Sequence, residues 1–168
     1  MVNLNFAYTG SINPTGASPI LTQTQVWAGL QRKVRHAQEF VPIILECKVT
    51  SEEEETAETV LKIVREVKFA PGSGPKADEE QVREVCLHYA PCRVDFKQED
   101  GTTISNIVSE GPDGELMMTY AFEWRHPGMK EGSDKGNELL EKYKKMAKMA
   151  VEGSIDTIRR LVREGEIK

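Results

Sequence analysis

The sequence predicts an α+β fold: a seven-stranded antiparallel sheet wrapped around a long C-terminal helix, with a short helical segment after the first strand. Three observations carry this reading. From Ser133 to Lys168, Leu140, Tyr143, Ala147, Ala150, Ile155, Ile158, Leu161 and Val162 recur at three- and four-residue spacing, with Lys, Glu and Arg between them. Between Ile43 and Arg125 the apolar period changes to two, and turn signals cut it into six segments. Near the N-terminus, Thr22 followed three residues later by Gln25 marks a helix start of the capping-box kind.

Taken in order, Leu4–Thr9 alternates Leu4, Phe6 and Tyr8 with Asn5 and Ala7, as a first strand does. Gly10–Pro19 is a loop of Gly, Pro, Ser and Asn. Thr22 caps the helix that follows, Leu21 is placed to staple to Val26, and Pro42 ends the segment. Trp27, Leu30, Val34 and Ala37 make its buried stripe, with Trp27 as a core anchor. Strands are expected at Ile43–Thr50, Val60–Phe69, Val82–Tyr89, Cys92–Gln98, Thr102–Ser109 and Leu116–Arg125. Glu52–Glu55 reads as a solvated turn, because four adjacent carboxylates do not converge on one ion without a dedicated loop. Asp100-Gly101 and Pro112-Asp113-Gly114 are hairpin signals. Ser133 or Asp134 caps the final helix, a rod of roughly 45 Å at about 1.5 Å per residue. Gly153, near its middle, is expected to allow close sheet contact or a slight bend. A single domain over residues 1–168 accommodates all of this.

Composition bounds the function. The chain has 168 residues, 39% of them hydrophobic and 29% charged, with a net charge of −5. Lys and Arg are scattered and form no basic stripe, so nucleic acid is not an expected partner. No apolar run reaches the roughly 18–20 residues of a membrane span. The segment Met1–Phe6 has neither a charged leader nor an apolar core, which makes the cytoplasm the expected location. Cys47, Cys86 and Cys92 include no C-x-x-C pair and read as reduced, mostly buried thiols. His36 and His126 lie at element ends, and no histidine stands in metal-ligand spacing. No phosphate, nucleotide or nucleophile-elbow fingerprint occurs, so neither a metal nor a cofactor is expected.

Candidate functional residues come from breaks in the strand pattern. On Val60–Phe69 the inward face reads Leu61, Ile63, Val67 and Phe69, and Arg65 falls in register with it. A buried guanidinium needs an acid, water or a ligand; a bulge or a snorkelling side chain is the alternative. Asn106 raises the same question between Ile104 and Val108. On Val82–Tyr89, an inward set of Val85, Leu87 and Tyr89 leaves Glu84 and His88 in solvent, whereas a local bulge brings Glu84 to Arg65. The last strand turns Leu116, Met118, Tyr120, Phe122 and Trp124 inward. In an up-and-down meander the loop Ala70–Glu79, the turn Glu99–Gly101 and the segment Pro127–Ser133 lie at one end, which places the mouth of a cavity there.

The helix opening Leu21-Thr-Gln-Thr-Gln-Val-Trp27, the meander ending Gly114-Glu-Leu-Met-Met-Thr-Tyr-Ala-Phe-Glu-Trp124 and the long last helix resemble the START-like (SRPBCC, pollen-allergen-like) superfamily, within it the AtaL-like branch. The resemblance covers nearly the whole chain and implies a helix-grip fold with a deep apolar cavity. Members of the superfamily are carriers, polyketide cyclases and aromatases, and AtaL-like members occur in bacteria and in fungal secondary-metabolite clusters. No motif of catalytic residues carries over. The expected function is binding of a small hydrophobic or aromatic metabolite, with cyclisation, dehydration or isomerisation as the reaction classes; the alternative is a non-catalytic carrier or interaction module whose cavity is small or filled. Expected ligand contacts are Arg65, Asn106, Met118, Tyr120, Phe122, Trp124, Tyr143 and Ala147. Arg65, Tyr120 and Tyr143 are the candidates for chemistry: the arginine as holder of a carboxylate or enolate, the tyrosines as hydrogen-bond donors or weak acids.

Overall fold

The computed structural model describes residues 2–74, 80–130 and 132–168. In chain order it holds β1 (Val2–Ser11), α1 (Gln23–Arg35), a 3-10 turn (Ala37–Glu39), β2 (Ile44–Glu53), β3 (Lys62–Phe69), β4 (Gln81–Tyr89), β5 (Arg93–Gln98), β6 (Thr103–Glu110), β7 (Leu116–His126) and α2 (Asp134–Arg163). The seven strands form one sheet in the order β1-β7-β6-β5-β4-β3-β2, and every pairing is antiparallel. The sheet is thus a meander from β2 to β7, with β1 added beyond β7. One face of it carries the helices, as an amphipathic helix and a half-buried sheet require of each other.

α1 starts where the sequence says it should. Gln25 N–H donates to Thr22 Oγ1, and the Thr22 N–H donates to Gln25 Oε1. Leu21 and Val26 are both buried against the core, which closes the staple. The helix ends earlier than Pro42: its last residue is Arg35, and Ala37 belongs to the 3-10 turn. Trp27 is only half-buried at the edge of the core, while Val26 is the fully buried member of that turn.

Three strand expectations are corrected. Glu52 and Glu53 belong to β2 and pair with Ile63 and Lys62, so the acidic run extends an edge strand before it turns. Leu45 shares the apolar alternation of Cys47 and Val49, yet it is 56% exposed. A register shift between Ile44 and Glu46 leaves Leu45 as the extra residue of a bulge. On β4 the facing is the reverse of the apolar reading: Glu84, Cys86 and His88 are buried, and Val85, Leu87 and Tyr89 lie on the outer face.

α2 lies along β1 and β7 and crosses α1. Its N-terminus is capped by Ser133, whose Oγ accepts from Gly136 N–H. Arg159 extends from it to the carbonyls of Ile12 and Pro19, fastening the loop between β1 and α1. A Cβ at Gly153 would meet nothing within 4 Å, so this glycine permits no close contact. The close approach is on α1, where a Cβ at Gly29 would meet Ile158 Cδ1 at 2.6 Å. Among the described residues, no helix is long and apolar enough to cross a membrane.

Candidate functional site

Because α2 rests on β1 and β7, the middle strands are left uncovered by it, and a cavity of about 170 Å³ fills the gap. Met146 and Ala150 of α2 form one wall, and Phe96, Ile104, Phe122 and Trp124 of the sheet form another. Ile43, Ile44, Phe69 and Ser73 line the end where β3 departs for β4. That is the predicted end of the sheet; the expected rim segments fall partly on residues 75–79 and 131, outside the described residues. The turn after β5 does meet the end of β7 there, since Arg125 Nε donates to the Gly101 carbonyl at 3.4 Å.

The cavity has one polar region, built by six elements. Arg65 and Glu84 are directly opposed in the β3–β4 register, with no bulge between them. Arg65 Nε and Nη2 donate to Glu84 Oε2 at 2.9 and 2.6 Å. Arg65 Nη1 donates to the carbonyls of Lys33 and Val34 at 2.9 and 3.0 Å. These carbonyls lie in the last turn of α1, where the helix has no internal donors left and its dipole favours a cation. The buried charge is therefore matched twice. Four of the five guanidinium N–H groups are engaged in these bonds. Burial opposes the charge on Arg65, and Glu84 outweighs it, so the guanidinium stays ionised. Gln98 Nε2 donates to the other Glu84 oxygen at 3.1 Å.

Beside this pair stands Lys33, 7% exposed. Its Nζ donates to Asn106 Oδ1 at 2.9 Å and to the Tyr120 hydroxyl at 3.0 Å. It also lies 4.2 Å from the Tyr120 ring centroid. Desolvation and then the Arg65 charge lower its pKa, Glu84 opposes both, and the balance leaves it at about 7. Burial pushes the Tyr120 phenol upward, so it remains a protonated donor. The Asn106 amide nitrogen has no partner among the described residues.

Of the residues expected to contact a ligand, Arg65, Asn106, Tyr120, Phe122 and Trp124 line the cavity together. Met118 and Ala147 are fully buried but lie off its surface. Tyr143 stands behind it, stacked on Trp124 at 3.9 Å between ring centroids, with its hydroxyl 3.0 Å from His126 Nε2. Burial raises the Tyr143 phenol to about 12. No three His, Cys, Asp or Glu side chains among the described residues are grouped to hold a metal.

The family model for acetylaranotin biosynthesis cluster protein L, AtaL, matches residues 6–165. The chain belongs to the AtaL family. It is 26% identical over 164 residues to the acetylaranotin biosynthesis cluster protein L of Aspergillus terreus, covering 98% of this chain and 93% of that protein. Among solved structures it is similar to an 18 kDa protein of Caulobacter crescentus, with a TM-score of 0.61, 12% identity and 98% and 99% of the two chains covered. It is also similar to StfQ, the di-domain aromatase/cyclase of the steffimycin biosynthetic pathway, with a TM-score of 0.59 and 13% identity. That match covers 98% of this chain but 52% of StfQ, so the chain spans about half the length of the two-domain protein. These likenesses establish the helix-grip fold that the START-like resemblance implied.

Within this AtaL-family chain, the residue that sequence reasoning missed is Lys33. A lysine on a helix is ordinarily a solvated group. The signal was its spacing: Lys33 lies three residues after Leu30 and seven after Val26, on the stripe that faces the sheet.

Proposed function

We propose that this AtaL-family protein binds a small hydrophobic or aromatic metabolite in the cavity beneath α2 and acts on it as a cyclase-, dehydratase- or isomerase-type enzyme of secondary metabolism. One observation carries the reading: an apolar cavity closes on one polar region, in which Lys33 bonds Asn106 and Tyr120 beside the Arg65–Glu84 pair. A cavity of about 150 Å³ accepts a benzene ring, so the 170 Å³ here suits one ring with its polar substituent aimed at that cluster. Phe122 and Trp124, stacked at 4.5 Å, provide a wall for the ring. Lys33 and Tyr120 supply a base near neutrality and a protonated donor, which together can move a proton at an enolisable carbonyl. Arg65 is committed to Glu84 and to α1; its part is to position Lys33 and to set the local charge. The name of the Aspergillus terreus relative and the aromatase/cyclase StfQ support placing the chain in a biosynthetic setting. Its three free cysteines fit the reducing cytoplasm.

A second reading, a non-catalytic carrier or interaction module, is favoured by the modest volume, which falls below the roughly 300–1,000 Å³ usual for ligand pockets. Thermal melting with a panel of single-ring phenols, aryl ketones and aromatic acids separates the two. A ligand at 100 times its Kd is expected to add about 2.7 kcal/mol. Turnover of any ligand that shifts melting supports the enzyme; binding without turnover supports the carrier. No shift, together with no small molecule retained in native mass spectrometry, supports the interaction module.

A further inference from the structure

We infer that Lys33 condenses with the carbonyl carbon of a small aromatic aldehyde or ketone held in the cavity, forming an imine. This deepens the cavity reading above and rests on it.

The decisive feature is a distribution of charge. A lysine buried this deeply ordinarily has a carboxylate partner. Here the nearby acid, Glu84, is held by Arg65 through two bonds at 2.6 and 2.9 Å. Lys33 Nζ instead meets two neutral oxygens, Asn106 Oδ1 and Tyr120 OH, and among the described residues it has no carboxylate partner. An ammonium without a counter-ion in an apolar setting, beside a guanidinium, favours loss of its proton. The neutral amine that results has two N–H groups and one lone pair. Asn106 and Tyr120 engage the two N–H groups, so the lone pair is left for an electrophile entering the cavity that Lys33 lines. Desolvation beside a second cation is the general means of making a lysine nucleophilic at neutral pH.

The step balances without an oxidant or reductant. The amine lone pair forms a C–N bond while the carbonyl π pair moves to oxygen, which takes a proton from the Tyr120 hydroxyl. Nitrogen then loses a proton back to the tyrosinate. A second proton, returned through the same phenol as nitrogen loses its remaining one, lets the C–O bond break and water leave. The product is the imine and one water. In the protonated imine the neighbouring C–H is acidified, which is the activation that cyclisation or dehydration of such a carbonyl compound requires.

The test incubates the whole protein at pH 7 with equimolar benzaldehyde and cyanoborohydride, which reduces an imine to a stable amine, and maps the adduct by peptide mass spectrometry. An ordinary lysine with a pKa near 10.4 is neutral to about one part in 2,500 at pH 7, against about half for a group titrating near 7. Among the lysines the expected result is one dominant adduct, on Lys33, labelling at least a hundred times faster than any surface lysine and with a pH midpoint near 7; the α-amino group, with an ordinary pKa of about 7.7–8, is read separately on its own peptide. Lys33→Met and Lys33→Gln are both expected to lose it; mapping on the unmodified chain needs neither variant to fold. Benzyl alcohol, of the same shape but without the carbonyl, is the binding control. If it raises the melting temperature while benzaldehyde labels only surface lysines, imine formation is overturned and the cavity reading stands. If neither probe shifts melting and Lys33 is unlabelled, both are overturned.

Discussion

Arg65 and Lys33 compete for one buried carboxylate, and the β3–β4 register decides the outcome in favour of Arg65. Removing Arg65 reverses the competition. In Arg65→Met, Glu84 stays buried and turns to Lys33, the adjacent guanidinium charge is gone, and the Lys33 pKa is expected to rise. The labelling midpoint near pH 7 should then move upward, while urea unfolding shows a loss of about 3–5 kcal/mol, the cost of breaking a buried pair. An unchanged midpoint would mean that Glu84 does not govern the lysine. At this scale the sequence was legible where a polar residue interrupted an apolar alternation: Arg65 and Asn106 were found that way. Glu84 is ambiguous in the sequence because Val85, Leu87 and Tyr89 make an equally plausible inner face, and only the cross-strand pairing with Arg65 breaks the tie. Lys33 was missed because charge on a helix is usually a solvated face, and its partners are contributed by β6 and β7, 73 and 87 residues away.

Among the elements, the crossing of α1 over α2 depends on one missing side chain. Gly29→Ala would ordinarily raise helix stability by about 1 kcal/mol. Here the added methyl runs into Ile158, which is fully buried and stiff at its branched Cβ. Overpacking of this kind costs about 1–3 kcal/mol, so a net loss is expected in chemical denaturation. Ile158→Ala should cost less in the Gly29→Ala background than alone, giving a coupling term that identifies the contact. Gly153→Ala has the opposite sign: with open space around the position, a gain of up to about 1 kcal/mol and a melting point higher by about 2–4 °C are expected. The elements themselves were readable from period and turn chemistry, since each depends on neighbours within a few residues. Their ends were less so. Where α1 stops depends on Arg65 donating to its last carbonyls, a contact made 31 and 32 residues away.

For the whole molecule, burying Lys33 makes stability depend on pH in a direction that can be derived. Its folded pKa, about 7, lies below its ordinary 10.5. Between those values the unfolded chain binds the extra proton, so stability rises with pH, starting near 7. Below pH 7 both states are protonated and the full penalty of burying the charge is present. Cys86, raised by burial from 9.0 to about 12, and Tyr120, raised above 10.0, act oppositely and take stability away above about pH 9. Lys33→Met isolates the lysine: it should be more stable than the parent at pH 6, with the difference shrinking steadily toward pH 10. A difference that stays constant across that range would remove the lysine from the account.

The ring stack along the cavity wall has a further use, in optics. The chain has two tryptophans, and they differ in place. Trp124 faces the cavity between Phe122 and Tyr143, whereas Trp27 lies off it, edge-on to His88 at 6.1 Å. A Trp27→Phe protein therefore carries a single indole chromophore, set into the surface that a ligand would cover. Its emission would shift in wavelength or quench as the site fills, so occupancy could be followed in real time without attaching a dye.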